Sequence, residues 1–144
     1  MMSFMELIKR AKENEDFSIL SENIPYMKSL GISVHQYGGL LITTLKANQQ
    51  LAGNPWIPAL HGGNIGGLLE MAAIVQLAHD QESDDLPRPI NITVEYLRTG
   101  FIKDLHAKAL VTKRGRRVAN VQVQFWQDDP DKPVASMHGH FLMS

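Results

Sequence analysis

The residues of this chain with the clearest potential for chemistry lie in one stretch, LHGGNIGGLLEMAAIVQLAHD, from Leu60 to Asp80. Between Ile65 and Ala78 only Glu70 and Gln76 are polar, so Glu70 is a lone carboxylate in an apolar segment. A buried carboxylate loses its solvation, which is costly unless hydrogen bonds or a cation compensate. Acids in such surroundings are frequent at active sites, although a thin exposed stripe or a structural hydrogen bond would explain Glu70 as well.

Two glycines, Gly62 and Gly63, stand at the start of this segment, directly after His61. Glycine lets the backbone approach a ligand closely, and the N–H groups of a first helical turn suit a carbonyl oxygen that develops negative charge. Gly63 and Glu70 are seven residues apart, about 10 Å along a helix, so one reacting carbon cannot contact both within one chain. If both act in one reaction, the carboxylate comes from a second subunit and the protein is a dimer with two shared sites.

The composition is that of one globular domain. The chain has 144 residues, of which 44% are hydrophobic and 20% charged, with a net charge of -1 and no cysteine. The near-zero charge argues against a protein that binds nucleic acid or a membrane surface. No apolar run is long enough to span a bilayer, and the amino terminus interleaves charges with apolar residues, unlike a signal peptide. Since disulfides are excluded, we expect a cytoplasmic protein.

The hydrophobic pattern predicts helices near the amino terminus and mostly strands later. Residues 3–14 have apolar side chains at helical spacing, and residues 18–30 predict one or two short helical turns with Pro25 early and a stop at Gly31. Residues 48–60 and the acidic segment 80–89 predict loops. Alternation and turn residues predict strands at 32–37, 40–47, 90–98, 105–113, 117–127 and 134–143. The apolar segment from Ile65 to Ala78 predicts a long helix that is buried on nearly all sides. A run of antiparallel strands can wrap around this helix, which indicates an α+β domain.

Four segments are similar to those of a known family: GNPWIPALHGGNIGGLLEMAA, NITVEYLRTG, GRRVANVQVQFW and KPVASMHGHFL. They cover about residues 50–143 in the family's order, and HGG with an acid nine positions after its histidine is the most specific of them. The chain resembles the hotdog-fold acyl-CoA thioesterases of the phenylacetate-degradation (PaaI-like) type. The resemblance implies a hotdog domain in residues 31–144, an antiparallel β-sheet wrapped around a long central α-helix. Residues 1–30 would form an additional N-terminal helical extension.

The resemblance also implies how the site would work. Two protomers join their sheets edge to edge, in some cases as a dimer of dimers. The backbone of Gly62 and Gly63 polarises the thioester carbonyl, and Glu70 from the other subunit is the nucleophile or the general base. Asn54, one place off the family's commonest spacing, would help to orient water or thioester, and His61 would orient the loop. An acyl-CoA is then the substrate, and no cofactor is required.

Other candidate binding residues lie among the predicted strands. Phosphate groups of CoA would need cations, and the candidates are a cluster at a hairpin turn, Lys113, Arg114, Arg116 and Arg117, together with Arg98 at a strand end. A solvated turn is the ordinary explanation for such a cluster. His138 and His140 alternate on one face of the last strand, but no third ligand accompanies them, so we expect no metal site.

Two other functions compete with hydrolysis at this point. One is a non-catalytic acyl-CoA binding protein that has the same pocket and no turnover. The other is a hotdog dehydratase acting on hydroxyacyl thioesters, which pairs a loop histidine with the helix acid, usually in an HFP setting. Here the loop before the helix has no histidine except His61, which makes the dehydratase the weaker alternative.

Overall fold

The computed structural model describes residues 2–48, 50, 52 and 62–143. The helices are α1 (Phe4–Asn14), α2 (Ser18–Asn23), α3 (Pro25–Leu30) and α4 (Gly62–Asp80). The strands are β1 (Ile32–Tyr37), β2 (Leu40–Leu45), β3 (Arg88–Tyr96), β4 (Leu105–Arg114), β5 (Val118–Trp126) and β6 (Ala135–Leu142). The predicted α+β class is confirmed, and each predicted strand lies within two residues of an observed one at either end.

Helix α1 begins, and helix α3 begins and ends, at residues with recognisable capping chemistry. Ser3 caps α1 by accepting a hydrogen bond from the backbone N–H of Glu6 at 3.2 Å. Pro25 occupies the first turn of α3, where its missing N–H has no consequence, and Gly31 ends that helix with φ of 77°. The predicted early proline and glycine stop are therefore confirmed.

One antiparallel sheet contains all six strands, in the order β1-β2-β4-β5-β6-β3. A simple meander would place β3 beside β4, but β3 pairs with β6, from Arg88 opposite Leu142 to Tyr96 opposite Ala135. β3 is thus an edge strand, which explains why it tolerates Pro89 and the register shift that follows it. The strand starts two residues before the predicted position because this pairing begins at Arg88.

The apolar face of the sheet packs against α4 to form the core. On β5, Val121, Val123 and Phe125 are buried, as their alternation predicts, while Gln122 and Gln124 face outward. The fully buried Phe125 alone stabilises the fold by about 1.5–3 kcal/mol. In the described part of the chain, no helix is long and apolar enough to cross a membrane.

Candidate active site

One narrow face of α4 is left uncovered by the chain's own sheet. Most of the helix is buried, but Gly63 is exposed, and the residues that follow it at intervals of three or four are half-buried: Gly67, Glu70 and Ile74. These intervals place the four residues on one side of the helix. Glu70 therefore lies on a stripe that a substrate or a second subunit can contact.

Glu70 and Gln76, the two polar residues of the apolar segment, differ in their partners. Gln76 is 4% exposed; its Oε1 accepts from the Leu41 N–H at 3.0 Å, and its Nε2 donates to the Gly39 carbonyl at 3.2 Å and to Asp80 Oδ1 at 3.0 Å. These bonds tie the β1–β2 hairpin to the helix. The Glu70 carboxylate, by contrast, makes no hydrogen bond or ion pair with any other described residue. Gln76 therefore has a structural role, whereas Glu70 forms no structural bond within the described part of the chain.

Tyr96, the last residue of β3, covers the first turn of α4. Its hydroxyl donates a hydrogen bond to the Gly62 carbonyl at 2.9 Å. A Cβ atom on Gly62 would lie 3.4 Å from this hydroxyl, and a Cβ atom on Gly66 would lie 3.6 Å from it. Tyr96 is 55% exposed, so its side chain is accessible beside the first turn of the helix.

Tyr26 of α3 approaches the same helix about one turn further along. A Cβ atom on Gly67 would lie under 3.0 Å from the Tyr26 hydroxyl, closer than real Cβ atoms come, so the hydroxyl occupies the space that the glycine leaves. Burial, and then the negative charge of Glu70, raise the pKa of Tyr26 above its usual value. The phenol therefore keeps its proton at neutral pH.

The two chemically useful parts of α4 remain apart in one chain. The first turn lies seven residues before Glu70, about 10 Å along the axis, which is too far for both to contact one carbonyl carbon. A helix start favours developing negative charge through its dipole, and a carboxylate can act as base or nucleophile. Gly62 and Gly63 lie in the first turn of α4 and Glu70 lies seven residues after Gly63 on the same helix, as predicted. His61 and Asn54 lie outside the described residues.

The cationic residues proposed for CoA binding lie at two ends of the sheet. Arg98 follows β3 near the start of β6, and its Nη1 donates to the Pro133 carbonyl at 2.7 Å. The turn formed by residues 113–117 lies near the other end of β6, where the Met143 N–H donates to the Arg117 carbonyl. Arg114 binds Asp80 at the carboxyl end of α4, through the backbone oxygen at 3.0 Å and Oδ2 at 3.4 Å. Lys113, Arg116 and Arg117 are exposed. One chain therefore does not bring Arg98 and the turn together.

The two histidines of β6 do not converge with further metal ligands. His140 Nδ1 lies 2.7 Å from Asn91 Oδ1, a hydrogen bond between the two outermost strands at this edge. His138 is exposed and lies opposite Thr93 and Gln122 in the sheet. Within the described ranges, no three His, Asp or Glu side chains group as a metal ion would need.

Comparison with known proteins decides the family. The model of the acyl-CoA thioesterase N-terminal domain matches residues 53–142, more than half of the chain. The chain belongs to this acyl-CoA thioesterase family. No curated protein matches it.

Solved structures share the fold of this thioesterase-family chain. A protein from Chromobacterium violaceum is 35% identical, with coverage of 96% of this chain and 97% of that chain and a TM-score of 0.79. A phenylacetic acid degradation-related protein from Ralstonia eutropha JMP134 is 22% identical, with coverage of 94% and 98% and a TM-score of 0.77. The PaaI protein of the E. coli phenylacetic acid degradation operon is 21% identical, with coverage of 99% and 96% and a TM-score of 0.75. The predicted hotdog fold and PaaI-like resemblance are confirmed.

Sequence reasoning did not include Tyr26 and Tyr96 among the site residues. One pattern could have pointed to them: GGNIGG places glycines four residues apart on the same face of a helix. Glycine in a helix interior costs about 1 kcal/mol relative to alanine, so such a face indicates that another group approaches closely. In this protein those groups are the two phenol hydroxyls.

Proposed function

We propose that this protein hydrolyses an acyl-CoA thioester to the free acid and CoA, in two sites shared between two subunits. The observation that carries the proposal is Glu70, a carboxylate with no hydrogen-bond or ion-pair partner in the described residues, on the accessible stripe of an otherwise apolar helix. Membership of the thioesterase family supplies the substrate class. The absence of cysteine is compatible with the reducing cytoplasm, where we place the reaction.

Two routes would use the same groups. As general base, Glu70 takes a proton from water while the water oxygen attacks the thioester carbonyl; the C–S bond then breaks and the thiolate recovers the proton. As nucleophile, a Glu70 oxygen attacks the carbonyl and expels the thiolate, and water then cleaves the resulting anhydride. In both routes the carbonyl oxygen becomes negative next to the first turn at Gly62 and Gly63, where the helix dipole stabilises it.

A dimer would unite the first turn and the carboxylate. β3 is one of the two edge strands of the sheet; its Ile90 is 54% exposed and, just beyond the strand, Leu97 is 48% exposed. Unpaired sheet edges with apolar side chains favour association with another strand. Two β3 strands paired about a two-fold axis would set the α4 helices antiparallel, with the first turn of one opposite Glu70 of the other. This supports an edge-to-edge dimer, which could assemble further into a tetramer.

The same antiparallel pairing supports a site for the CoA phosphates. It places the Arg98 end of one sheet beside the end of the other sheet that carries Lys113, Arg116 and Arg117. Arg98 of one subunit and the 113–117 turn of the other are then three strand spacings apart across the joined sheets. At about 4.8 Å for each spacing this is about 15 Å, a distance that an extended CoA can span. Arg98 and Arg114 already bond to Pro133 and Asp80. Of the exposed cations, the other three, Lys113, Arg116 and Arg117, are therefore the stronger candidates for phosphate contact.

The test is free-thiol release from a panel of acyl-CoAs, by wild type and by Glu70→Gln. The nearly isosteric amide cannot act as base or nucleophile, so we expect kcat to fall at least about a hundredfold while acyl-CoA affinity is retained. Glu22→Gln, on the exposed side of α2, is the matched control and should keep wild-type activity. Hydrolysis by Glu70→Gln at the wild-type rate would rule out the mechanism. If wild type binds acyl-CoAs and hydrolyses none, the protein is a non-catalytic acyl-CoA binding protein.

A further inference from the structure

We propose that Tyr26 positions the Glu70 carboxylate for catalysis, by donating a hydrogen bond from its hydroxyl to a carboxylate oxygen. The inference rests on the proposed function, because it assigns a role within that site. Tyr26 lies in the N-terminal helical segment, outside residues 53–142 that match the family model. The segment would therefore contribute directly to the chemistry of the hotdog domain.

The fold holds Tyr26 against α4. Its neighbour Met27 is fully buried and anchors α3 in the core, while Pro25 fixes the start of that helix. The Tyr26 side chain remains 46% exposed, and its hydroxyl lies against the backbone of Gly67. The backbone of Tyr26 is thus fixed by α3, while part of its ring is accessible. A group that acts on a bound substrate or on a neighbouring side chain needs both properties.

Glu70 is the natural partner for this hydroxyl. It lies three residues after Gly67 on the same side of α4, about 4.5 Å along the axis. Its negative charge contributes to the raised pKa of Tyr26, and no other charged group in the described part of the chain contributes. The two side chains are therefore near enough to interact electrostatically in a single chain.

Neither group is engaged elsewhere in the described part of the chain. In the described ranges, the Tyr26 hydroxyl donates no hydrogen bond and the Glu70 carboxylate accepts none. The Tyr26 hydroxyl, a proton donor, thus lies against Gly67 of the stripe, three residues before the Glu70 carboxylate on the same side of α4. A hydrogen bond to a carboxylate is charge-assisted and directional, so it would restrict Glu70 to one rotamer and one attacking geometry.

In the proposed dimer, Tyr26 accompanies the carboxylate into the shared site. The first turn and Tyr96 come from one subunit, and Glu70 with Tyr26 comes from the other. The hydroxyl does not react in this arrangement, since the water or carboxylate chemistry already balances without it. Tyr26 is therefore a positioning residue, and its loss should lower the rate of the chemical step more than substrate affinity.

The first experiment compares Tyr26→Phe with wild type on the best acyl-CoA of the panel. We expect kcat to fall about tenfold with KM changed less than about twofold. Tyr37→Phe, at the 64% exposed ring that ends β1, is the matched control and should leave kcat and KM unchanged. Wild-type kcat in Tyr26→Phe would overturn the proposal.

A second experiment needs no turnover. Ultraviolet titration of tyrosinate formation in wild type minus that in Tyr26→Phe isolates the Tyr26 transition. Glu70→Gln should lower the pKa of Tyr26, because it removes the negative charge that opposes ionisation. An unchanged transition would show that the two side chains do not interact and would overturn the proposal even in an active enzyme. If wild type hydrolyses nothing, the proposed function fails, while this titration still decides whether the pair exists.

Discussion

Gly67→Ala tests the placement of Tyr26 through stability alone. The added methyl group would lie under 3.0 Å from the Tyr26 hydroxyl, but about 3.5 Å from the ring carbon that bears it. The first distance is a clash, and the second is an ordinary van der Waals contact. Removing the hydroxyl with Tyr26→Phe should therefore remove the clash and leave the ring in place.

The expected free energies follow from two opposing effects. Alanine in place of glycine inside a helix stabilises it by about 1 kcal/mol. An added carbon in an occupied space costs at most about 1–3 kcal/mol, and we expect the lower part of this range because the hydroxyl is the far end of a half-exposed side chain. With Tyr26 present, Gly67→Ala should therefore be neutral or destabilise the protein by up to about 2 kcal/mol. In the Tyr26→Phe background it should stabilise by up to about 1 kcal/mol, which gives a coupling of about 1–3 kcal/mol.

The assay is urea unfolding of the four variants of this cycle at one protein concentration, because any dimer makes the midpoint depend on concentration. Gly66→Ala is the matched control: its Cβ atom would lie 3.6 Å from the Tyr96 hydroxyl, so it should stabilise both backgrounds equally. Equal stabilisation by Gly67→Ala with and without the Tyr26 hydroxyl would refute the placement of Tyr26 on which the positioning role depends.

Three further predictions concern the rest of the molecule. Gln76→Met keeps the side-chain volume but leaves the Leu41 N–H without an acceptor, so it should destabilise by about 2–4 kcal/mol, measured as a urea midpoint lowered by about 1–2 M. Joint reversal of Arg116 and Arg117 to Glu should weaken CoA binding, most strongly at low salt; an unchanged Kd by calorimetry would leave them a solvated turn. Light scattering at micromolar concentration should show a dimer or larger, and a monodisperse monomer would contradict the shared site of Glu70.

Those parts of the fold that depend on local pattern could be predicted from the sequence. The nearly continuous apolar segment indicates the long buried helix, and the alternation along β5 indicates which side chains are buried, because both patterns are properties of a single segment. The position of β3 could not be predicted in this way. Its pairing with β6 rather than β4 depends on long-range register between Tyr96 and Ala135, which neither strand's pattern specifies.

The same distinction applies to the candidate site. Gly62, Gly63 and Glu70 belong to one helix, so their spacing alone predicts their separation and the need for a second subunit. Tyr26 belongs to a different helix, far away in the sequence, and only tertiary packing brings it to Gly67. The partner of Arg114 could not be predicted either. Asp80 binds Arg114 because the end of α4 and the hairpin turn lie next to each other only in the folded chain.

The contrast between Glu70 and Gln76 shows why a polar residue in an apolar helix is ambiguous until its partners are known. Both interrupt the same segment, and both could have been explained as structural. Gln76 uses both ends of its amide on the hairpin and on Asp80, so packing alone explains its presence. Glu70 forms no such bond in the described part of the chain, and a leucine or methionine would fit the half-buried stripe with less desolvation. A carboxylate at that position agrees with the proposed chemistry on a bound thioester, and with the proposed role of the neighbouring Tyr26 hydroxyl as the donor that fixes its geometry.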